Sequence, residues 1–204
     1  MGAKKQQGQA KKGPPGKVKL AGAMRKLLET KDFSSITTDE ISKTAKTNEA
    51  LIYRYFGDKR GLLHSVLGEY LEESHDSIIK ELNGVDNSLE KLTIIIKGTF
   101  ESYDRQSVFA KILLIEARNF PGFFESDTYK LVKRYTRLVL DTIKEGVAKG
   151  EIRDDVAPET IRDTIIGAIE HNVLPSLFFE RTAEPDILSA DLFSMILEGI
   201  STRR

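Results

Sequence analysis

The chain has 204 residues, 40% of them apolar, with 31 basic and 31 acidic side chains and no cysteine. This length and apolar content suffice for one large domain, or for a small and a larger one, and exclude a wholly disordered chain. Without cysteine, disulfides, thiolate metal sites and a cysteine nucleophile are excluded. No apolar run approaches the roughly 18 residues of a membrane-spanning helix, and a signal-peptide core is lacking. We therefore expect a cytoplasmic protein with no membrane partner.

The zero net charge conceals two unlike parts of the chain. Residues 1–60 contain 14 basic and 6 acidic side chains, a net charge of +8, whereas the remaining residues contain 17 basic and 25 acidic ones, a net charge of −8. Such asymmetry is typical of a segment that binds nucleic acid or a membrane, joined to a part with another role.

Residues 1–17 contain five lysines and no acid, and the rest of this segment is mostly glycine, glutamine and proline. This composition predicts a disordered basic arm. Two interpretations remain open: a solubilising tail, or a segment that contacts DNA.

The next residues, 18–64, predict a small domain of short helices. Thr37 and Glu40 have the spacing of a capping box that opens one helix. Asn48 is a good N-cap for a second helix beginning at Glu49, and Gly57 ends that helix. Two short helices with so brief a turn have the spacing of a helix-turn-helix, in which the second helix enters a major groove of DNA.

Residues 65–204 predict a larger helical domain, because apolar residues recur at helical spacing and no alternating strand pattern interrupts them. One helix is predicted over Val108–Ala117, and another from about Ser126 to Lys149. Pro158 and Pro185 should each open a helix, and Pro175 should kink or end the one that contains it. The sequence thus predicts an all-α fold of about nine helices.

The stretch ITTDEISKTAKTNEALIYRYFGDKRGLL resembles the DNA-binding region of TetR-type bacterial transcriptional regulators. The resemblance covers about 45 residues and ends in a characteristic pattern, here Tyr53, Tyr55, Phe56, Lys59 and Leu62. It implies a DNA-binding head followed by a variable domain that binds a ligand and dimerises. In this family a small effector reorients the two heads of a dimer, so that they no longer fit a palindromic operator, and repression is the usual outcome.

The resemblance also implies residue roles at the DNA. Phosphates would be contacted by Thr38, Tyr53, Tyr55 and Lys59, and the base-reading surface would be formed by Thr47, Asn48, Glu49, Ala50, Leu51 and Arg54. The family usually has a glycine and an aliphatic residue at the turn. Here Lys46 and Thr47 stand there, which leaves a different turn construction open and would let Lys46 add a phosphate contact. The alternative for the tyrosines is that they pack in the core.

The larger domain resembles, more loosely, the fatty-acid-responsive FadR-type subset of this family. The segments that carry this resemblance are KILLIEARNFPGFFESDTYKLVKRY, GEIRDDVAP and GAIEH. This implies a small hydrophobic effector, such as an acyl compound. Candidate pocket residues are Phe100, Tyr103, Phe109, Arg118, Phe120, Phe123, Phe124, Tyr129 and Tyr135, with core packing as the alternative for the aromatic side chains. Arg118 has two open roles, an ion pair with an acid such as Glu116 or binding of a ligand carboxylate or phosphate. The dimer would form through the last two long helices, about 158–174 and 186–201. Candidate seam residues are Ile165, Ile169, Phe193, Ile196 and Ile200, with packing in the subunit's own core as the alternative for each.

Two other functions compete with that of a DNA-binding regulator. An enzyme is disfavoured because the histidines, His64, His75 and His171, lack metal-site spacing and no nucleophile elbow or phosphate-binding loop is present. We therefore expect no metal and no cofactor. The other alternative is a helical interaction protein whose basic segment is only a solvated face, without sequence-specific DNA binding.

Overall fold

The computed structural model describes residues 13–179 and 185–201, except for the side chains of Pro185 and Leu197. Within these residues it contains nine α-helices, and the extended pairing described there is an isolated antiparallel bridge between Ile152 and Ser201. The predicted all-α fold is therefore confirmed. The chain divides into two compact units between Val66 and Leu67, whereas the sequence predicts a boundary after residue 64.

The N-terminal unit consists of three short helices and the beginning of a fourth. Helix α1 spans Pro15–Leu28, α2 Thr38–Ala45, α3 Ala50–Phe56 and α4 Lys59–Glu81, with a 3₁₀ turn at Phe33–Ser35. Helix α1 packs against both α2 and α3. The fully buried side chains of this unit are apolar and come from all four helices and the loop before α2: Leu20, Met24, Ile36, Ile41, Ile52, Leu62, Leu63 and Val66.

The polar signals that predicted these helices act as expected. The Thr37 hydroxyl accepts a hydrogen bond from the Glu40 amide at 3.2 Å, which caps α2. Gly57 adopts φ +82 at the end of α3, and the Asp58 carboxylate caps α4 by accepting from the Gly61 amide at 2.7 Å. These bonds satisfy amides that the first helical turn leaves without partners.

The predicted basic arm extends too far at its C-terminal end. Helix α1 begins at Pro15, so residues 15–17 are helical, and residues 1–12 lie outside the described part of the chain. The reason is that proline at the first helical position has its φ angle preset and needs no amide partner. Pro14 precedes it in an extended conformation, with φ −50 and ψ 142.

The C-terminal unit contains the rest of α4 and five further helices. They are α5 (Ser88–Arg105), α6 (Ser107–Lys111), α7 (Asp127–Ala148), α8 (Pro158–Phe179) and α9 (Pro185–Ile200). Helix α5 packs against α7, α8 and α9, and α8 packs against α7 and α9. Their apolar stripes meet in one core that includes Leu92, Ile96, Phe100, Ile143 and Ile165. In the part of the chain that the structure describes, no helix combines the length and apolarity needed to cross a membrane.

Two predicted helix boundaries in this unit were wrong. The single helix expected over Val108–Ala117 is instead α6, a π turn at Ile112–Glu116 and a 3₁₀ turn at Ala117–Asn119. Helix α8 was expected over about 158–174, with a kink or an end at Pro175; it does not end there but continues to Phe179. Proline removes only one amide donor, and the buried face of α8, packed against α7 and α9, outweighs that loss.

Candidate DNA-reading surface and effector pocket

The turn between α2 and α3 has the backbone geometry of a helix end closed by glycine. Lys46 adopts φ 52 and ψ 49, in the left-handed region, and is the one non-glycine residue with positive φ among those described. The Thr47 amide donates to the Ser42 carbonyl oxygen at 3.0 Å, as in a Schellman motif. The turn is thus not built differently from a glycine turn. Lysine instead carries a conformational cost of about 1 kcal/mol or more.

Helix α3 presents a surface that is open to a partner. Ile52 is completely buried and holds the helix to the unit, whereas Tyr53 is 55% exposed and Ala50 and Arg54 are also exposed. Leu51 is half-buried, as is Tyr55, whose ring lies 5.8 Å from the Arg54 guanidinium carbon. The phenol and guanidinium groups are donors suited to phosphate oxygens and base edges.

Some predicted DNA contacts have polar groups turned at least partly toward the protein. The Asn48 Oδ1 atom accepts from the Ala50 amide at 2.8 Å and so caps α3. The Thr47 hydroxyl is buried and has no hydrogen-bond partner. Thr38, in the first turn of α2, and Glu49, just before α3, are half-buried. Asn48 is itself exposed, and its side-chain NH₂ group keeps donor capacity for a base edge.

Lys59 stabilises the loop before α2 by hydrogen bonding to two of its carbonyl groups. Its ammonium group donates to the carbonyl oxygens of Phe33 at 2.9 Å and Ile36 at 2.7 Å, and lies 4.3 Å from the centre of the Phe33 ring. Burial, and then the nearby charge of Arg60, lower the pKa of Lys59. Since an ammonium has three N–H donors, one remains for the phosphate contact that the sequence predicts.

The C-terminal unit contains a pocket of about 700 Å³, part of which is open to solvent. Its walls are mostly apolar and come from α4, α5, the π turn, α7 and α8. The apolar lining residues are Leu71, Leu113, Leu114, Leu131, Val132, Ile166 and Ile169, and the polar ones are Tyr70, Ser74, His75, Thr99, Tyr103, Arg118, Arg134, Tyr135, Thr136 and Glu170.

An ion pair joins two walls of the pocket. Arg118, just beyond the π turn, donates to both carboxylate oxygens of Glu170 on α8, at 3.0 and 2.5 Å. Both side chains are partly buried, at 38% and 28% exposure. A bidentate pair of this kind fixes orientation as well as adding energy. Of the two roles that the sequence left open for Arg118, the ion pair is the one present, with Glu170 as its partner.

Phenol groups line the pocket in their neutral form. Burial raises the pKa of both Tyr70 and Tyr135 to about 12, and raises that of Tyr103 well above its ordinary value. The hydroxyls of Tyr135 and Thr99 are 2.8 Å apart, and the Ser102 hydroxyl donates to that of Tyr70 at 3.3 Å. These neutral hydroxyls give the apolar pocket a few fixed polar points.

His75 also lines the pocket. Burial, and then the positive charge of Arg134, lower the pKa of His75. Its Nδ1 atom is buried without a hydrogen bond and lies 3.8 Å from a carboxylate oxygen of Asp76. Among the described residues, no group of three or more histidine, aspartate or glutamate side chains is placed to hold a metal ion.

Sequence comparisons agree with this arrangement over nearly the whole chain. Residues 20–66 match "Bacterial regulatory proteins, tetR family", and residues 64–199 match "YsiA-like protein, C-terminal region". The HTH-type transcriptional regulator YvkB of Bacillus subtilis is 31% identical over 143 residues, which cover 68% of this chain and 71% of that protein. The chain belongs to the TetR family of bacterial regulatory proteins. It is therefore a ligand-responsive, DNA-binding transcriptional regulator.

Other similar proteins include regulators of fatty acid metabolism. The fatty acid metabolism regulator protein of Bacillus subtilis is 20% identical over 189 residues, 93% of this chain and 97% of that protein. The crystal structure of FadR from Bacillus subtilis in complex with stearoyl-CoA has a TM-score of 0.80 at 20% identity, over 90% of this chain and 98% of that one. The structure of FadR from Bacillus halodurans has a TM-score of 0.81 at 21% identity, over 95% of this chain and 100% of that one.

Three of the nine effector-binding residues predicted for this TetR-family chain line the pocket: Tyr103, Arg118 and Tyr135. The other six, all aromatic, do not line it. Phe100 is 1% exposed in the core, Phe109 stacks on Tyr70 at 6.0 Å, and Phe120 is half-buried; Phe123 and Tyr129 pack together with Phe124, which is 61% exposed. Sequence reasoning missed Glu170, which a single acid within the apolar run IIGAIEHNV could have signalled.

The predicted dimer seam needs correction at two positions. Ile165 is completely buried and Ile169 is 2% exposed, both in the core of their own unit, and Ile169 lines the pocket. A side chain without accessible surface adds nothing to a contact between two chains. Phe193, Ile196 and Ile200 are partly buried against the same core, so they retain some surface.

Proposed function

We propose that this regulator is a repressor that binds a palindromic operator as a homodimer and is released by an acyl-CoA. The observation that supports this proposal most is the presence, in one chain, of an exposed α3 face and a largely apolar pocket of about 700 Å³. Each protomer's α3 enters one major groove, and successive grooves on one face of the duplex lie about 34 Å apart. The protein acts where bacterial DNA is found, in the cytoplasm.

At the DNA, the exposed groups have distinct roles. Tyr53 and Lys46 contact phosphates, because a phenol and an exposed ammonium bind these oxygens without regard to sequence. Arg54 and the amide of Asn48 read base edges in the groove. Replacing Asn48 by alanine should therefore change the preferred sequence, whereas Tyr53→Phe should weaken binding to all sequences alike.

The pocket chemistry supports an acyl chain as the effector. Seven aliphatic side chains line the pocket, and each methylene transferred from water to such a surface contributes roughly 0.8 kcal/mol. The polar lining residues offer hydrogen-bonding groups to the thioester and the groups beyond it. FadR from Bacillus subtilis was crystallised with stearoyl-CoA, and the shared fold makes this class the first to test.

The dimer is proposed to form through α8 and α9. Four large apolar side chains of these helices are exposed: Phe178 at 49%, Phe179 at 70%, Ile187 at 53% and Met195 at 76%. Adjoining exposed apolar residues on a folded protein mark an interaction surface, and the Phe178 and Phe179 rings adjoin, with centres 6.4 Å apart. A two-fold axis would bring the same patch from two chains together.

The dimer is tested by sedimentation velocity with the variant Phe179→Glu. It should shift the protein toward monomer and weaken operator binding together, because a carboxylate cannot be buried without a partner. Phe124→Glu is the matched control, since Phe124 is 61% exposed but lies outside α8 and α9. A Phe179→Glu variant that remains as dimeric as the control argues against this seam.

DNA binding and release are tested by fluorescence anisotropy on DNA from upstream of the protein's own coding region. We expect tighter binding to one palindromic site than to shuffled DNA, and an affinity about 5–150-fold lower with stearoyl-CoA, the usual range of coupling between two sites. Coenzyme A alone should have little effect because it lacks the chain. Loss of sequence preference at raised salt would contradict the proposal that the protein is a repressor. If no acyl-CoA released the DNA, only the proposed effector would be contradicted.

A pocket variant connects release to the site. Val132→Trp places a large ring in the pocket wall and should abolish release by stearoyl-CoA while leaving operator affinity unchanged. Ile79→Trp makes a similar increase in volume at a residue that is 37% exposed and does not line the pocket. If both variants still responded to stearoyl-CoA, the acyl chain would have to bind elsewhere.

A further inference from the structure

Tyr103 on α5 lies where the polar parts of several pocket walls converge. Burial is the largest cause of its raised pKa, and the groups that act on it next all line the pocket as Tyr103 does: Tyr70, Tyr135, Glu170 and Arg118. These four residues belong to α4, α7, α8 and the 3₁₀ turn that follows the π turn. The phenol is therefore a neutral hydroxyl among the fixed polar groups of the pocket.

The Tyr103 hydroxyl has no role in holding the fold together. Among the residues that the structure describes, none forms a hydrogen bond with it. A phenol can donate one hydrogen bond and can also accept, and a polar group that is shielded from water without a partner costs free energy. A hydroxyl of this kind in a pocket wall is suited to a polar atom of a ligand.

The other two phenols of the pocket differ from that of Tyr103. The Thr99 hydroxyl donates to the Ile95 carbonyl oxygen at 2.6 Å, so its one proton is already used. In the 2.8 Å hydrogen bond between Thr99 and Tyr135, the phenol must then be the donor. Tyr70 is only 1% exposed, whereas Tyr103 is partly buried against the core. Of the three phenols, that of Tyr103 combines an unused proton with a less buried side chain.

The surroundings of Tyr103 favour an uncharged acceptor. The negative charge of Glu170 contributes to its raised pKa, and the same charge disfavours a second anion beside the phenol. Arg118 offsets this charge, but two of its N–H groups are already bound to the Glu170 carboxylate. A carbonyl oxygen accepts a hydrogen bond without adding charge. In an acyl-CoA the thioester carbonyl is attached directly to the chain, so it enters the pocket with the chain.

We propose that the Tyr103 hydroxyl donates a hydrogen bond to the thioester carbonyl of a bound acyl-CoA, and that it thereby selects acyl thioesters over chains without this carbonyl. This inference rests on the proposed function, which makes an acyl-CoA the effector. Burial of the chain against aliphatic side chains is nondirectional. The hydrogen bond adds a fixed point that sets how far the chain enters.

The experiment compares two compounds that differ only at this carbonyl. Stearoyl-CoA contains it, and S-octadecyl-CoA, a thioether with the same number of carbons, has a methylene in its place. Isothermal titration calorimetry on the full-length protein without DNA measures the dissociation constant of each compound. In Tyr103→Phe the preference for stearoyl-CoA over S-octadecyl-CoA should fall about 2–12-fold, the range expected for one hydrogen bond. Effects of the substitution that both compounds share cancel in this ratio.

Tyr135→Phe is the matched control. It makes the same chemical change in another wall of the pocket, but it removes a hydroxyl whose proton is already bound to Thr99. The ratio should therefore stay unchanged, although the loss of that hydrogen bond should lower Tm. Tyr103→Phe should not lower Tm, because its hydroxyl has no partner in the described fold. Thermal unfolding of both variants checks this difference.

The outcomes separate this inference from the proposed function. A fall of the ratio in Tyr103→Phe alone supports the inference. An unchanged ratio overturns it, as does an equal fall in Tyr135→Phe, which would make any change of the pocket wall the cause. Stearate tests the other source of a carbonyl oxygen: if Tyr103→Phe weakened the binding of stearate but not that of stearoyl-CoA, the hydroxyl would bind a carboxylate and the inference would be wrong. If the unaltered protein bound neither CoA compound, the proposed effector would fail, and this inference with it.

Discussion

Replacing Lys46 by glycine should make the N-terminal unit more stable and its binding to DNA weaker. Lys46 is exposed and holds a left-handed conformation, φ 52 and ψ 49, that an L-residue adopts at a cost of about 1–2 kcal/mol. Glycine removes this cost, but it also gains about 0.4–1 kcal/mol of conformational freedom in the unfolded chain. The net effect is a stabilisation of about 0.5–1 kcal/mol.

The assay combines thermal unfolding with DNA binding. For a chain of this size, 1 kcal/mol shifts Tm by roughly 2–4 °C, so the expected rise is about 1–4 °C. Each phosphate contact contributes about 0.9 to the slope of log affinity against log salt concentration. If Lys46 contacts a phosphate, its replacement should therefore flatten this slope by about 0.9 for each protomer. Lys46→Ala separates the two effects, because it removes the charge but retains the conformational cost.

Lys43→Gly provides the matched control for the sign of the stability change. Lys43 lies inside α2 and its ammonium group is 2.7 Å from the Asp39 carboxylate. Glycine there should destabilise the unit by about 1 kcal/mol through backbone entropy alone. A fall in Tm for Lys46→Gly, of the kind expected for Lys43→Gly, would refute the argument that lysine occupies the position of a glycine.

Three further substitutions test the C-terminal unit, one of them against a control in α1. The first concerns Tyr70, because between pH 10 and about 12 the unfolded chain loses the Tyr70 proton while the folded state keeps it. The free energy of unfolding should therefore fall by about 1.4 kcal/mol per pH unit in this range. Tyr70→Phe should reduce that slope, as measured by urea unfolding at several pH values. Gly146→Ala places a methyl group 2.6 Å from the Ile152 side chain and should lower the free energy of unfolding by about 1–3 kcal/mol. Gly22→Ala is the control in α1: its methyl group meets nothing within 4 Å, and it should raise the free energy of unfolding by about 0.4–1 kcal/mol. Glu170→Ala should lower Tm by leaving its half-buried arginine partner unpaired, while Glu159→Ala, which breaks a surface ion pair, should change Tm little.

The sequence by itself determined the helices and the class of the protein. Local signals act within a few residues of chain, which is why the caps at Thr37 and Asn48 and the helix end at Gly57 could be read directly. The DNA-reading helix was predictable for the same reason, since its register depends on a short motif and one buried anchor, Ile52.

Tertiary structure decided what local signals do not contain. The continuation of α8 through Pro175 depends on packing against other helices, and the π turn interrupts a stretch whose apolar spacing is that of one regular helix. The pocket differs from the predicted aromatic set because a cavity forms where helices fail to meet, which depends on distances between elements far apart in sequence. The pairing of Arg118 with Glu170 likewise joins residues that are 52 positions apart in the sequence, so local signals do not predict it. Sequence periodicity shows which face of a helix is buried, but only the assembled helices show whether that face meets a neighbour or a cavity.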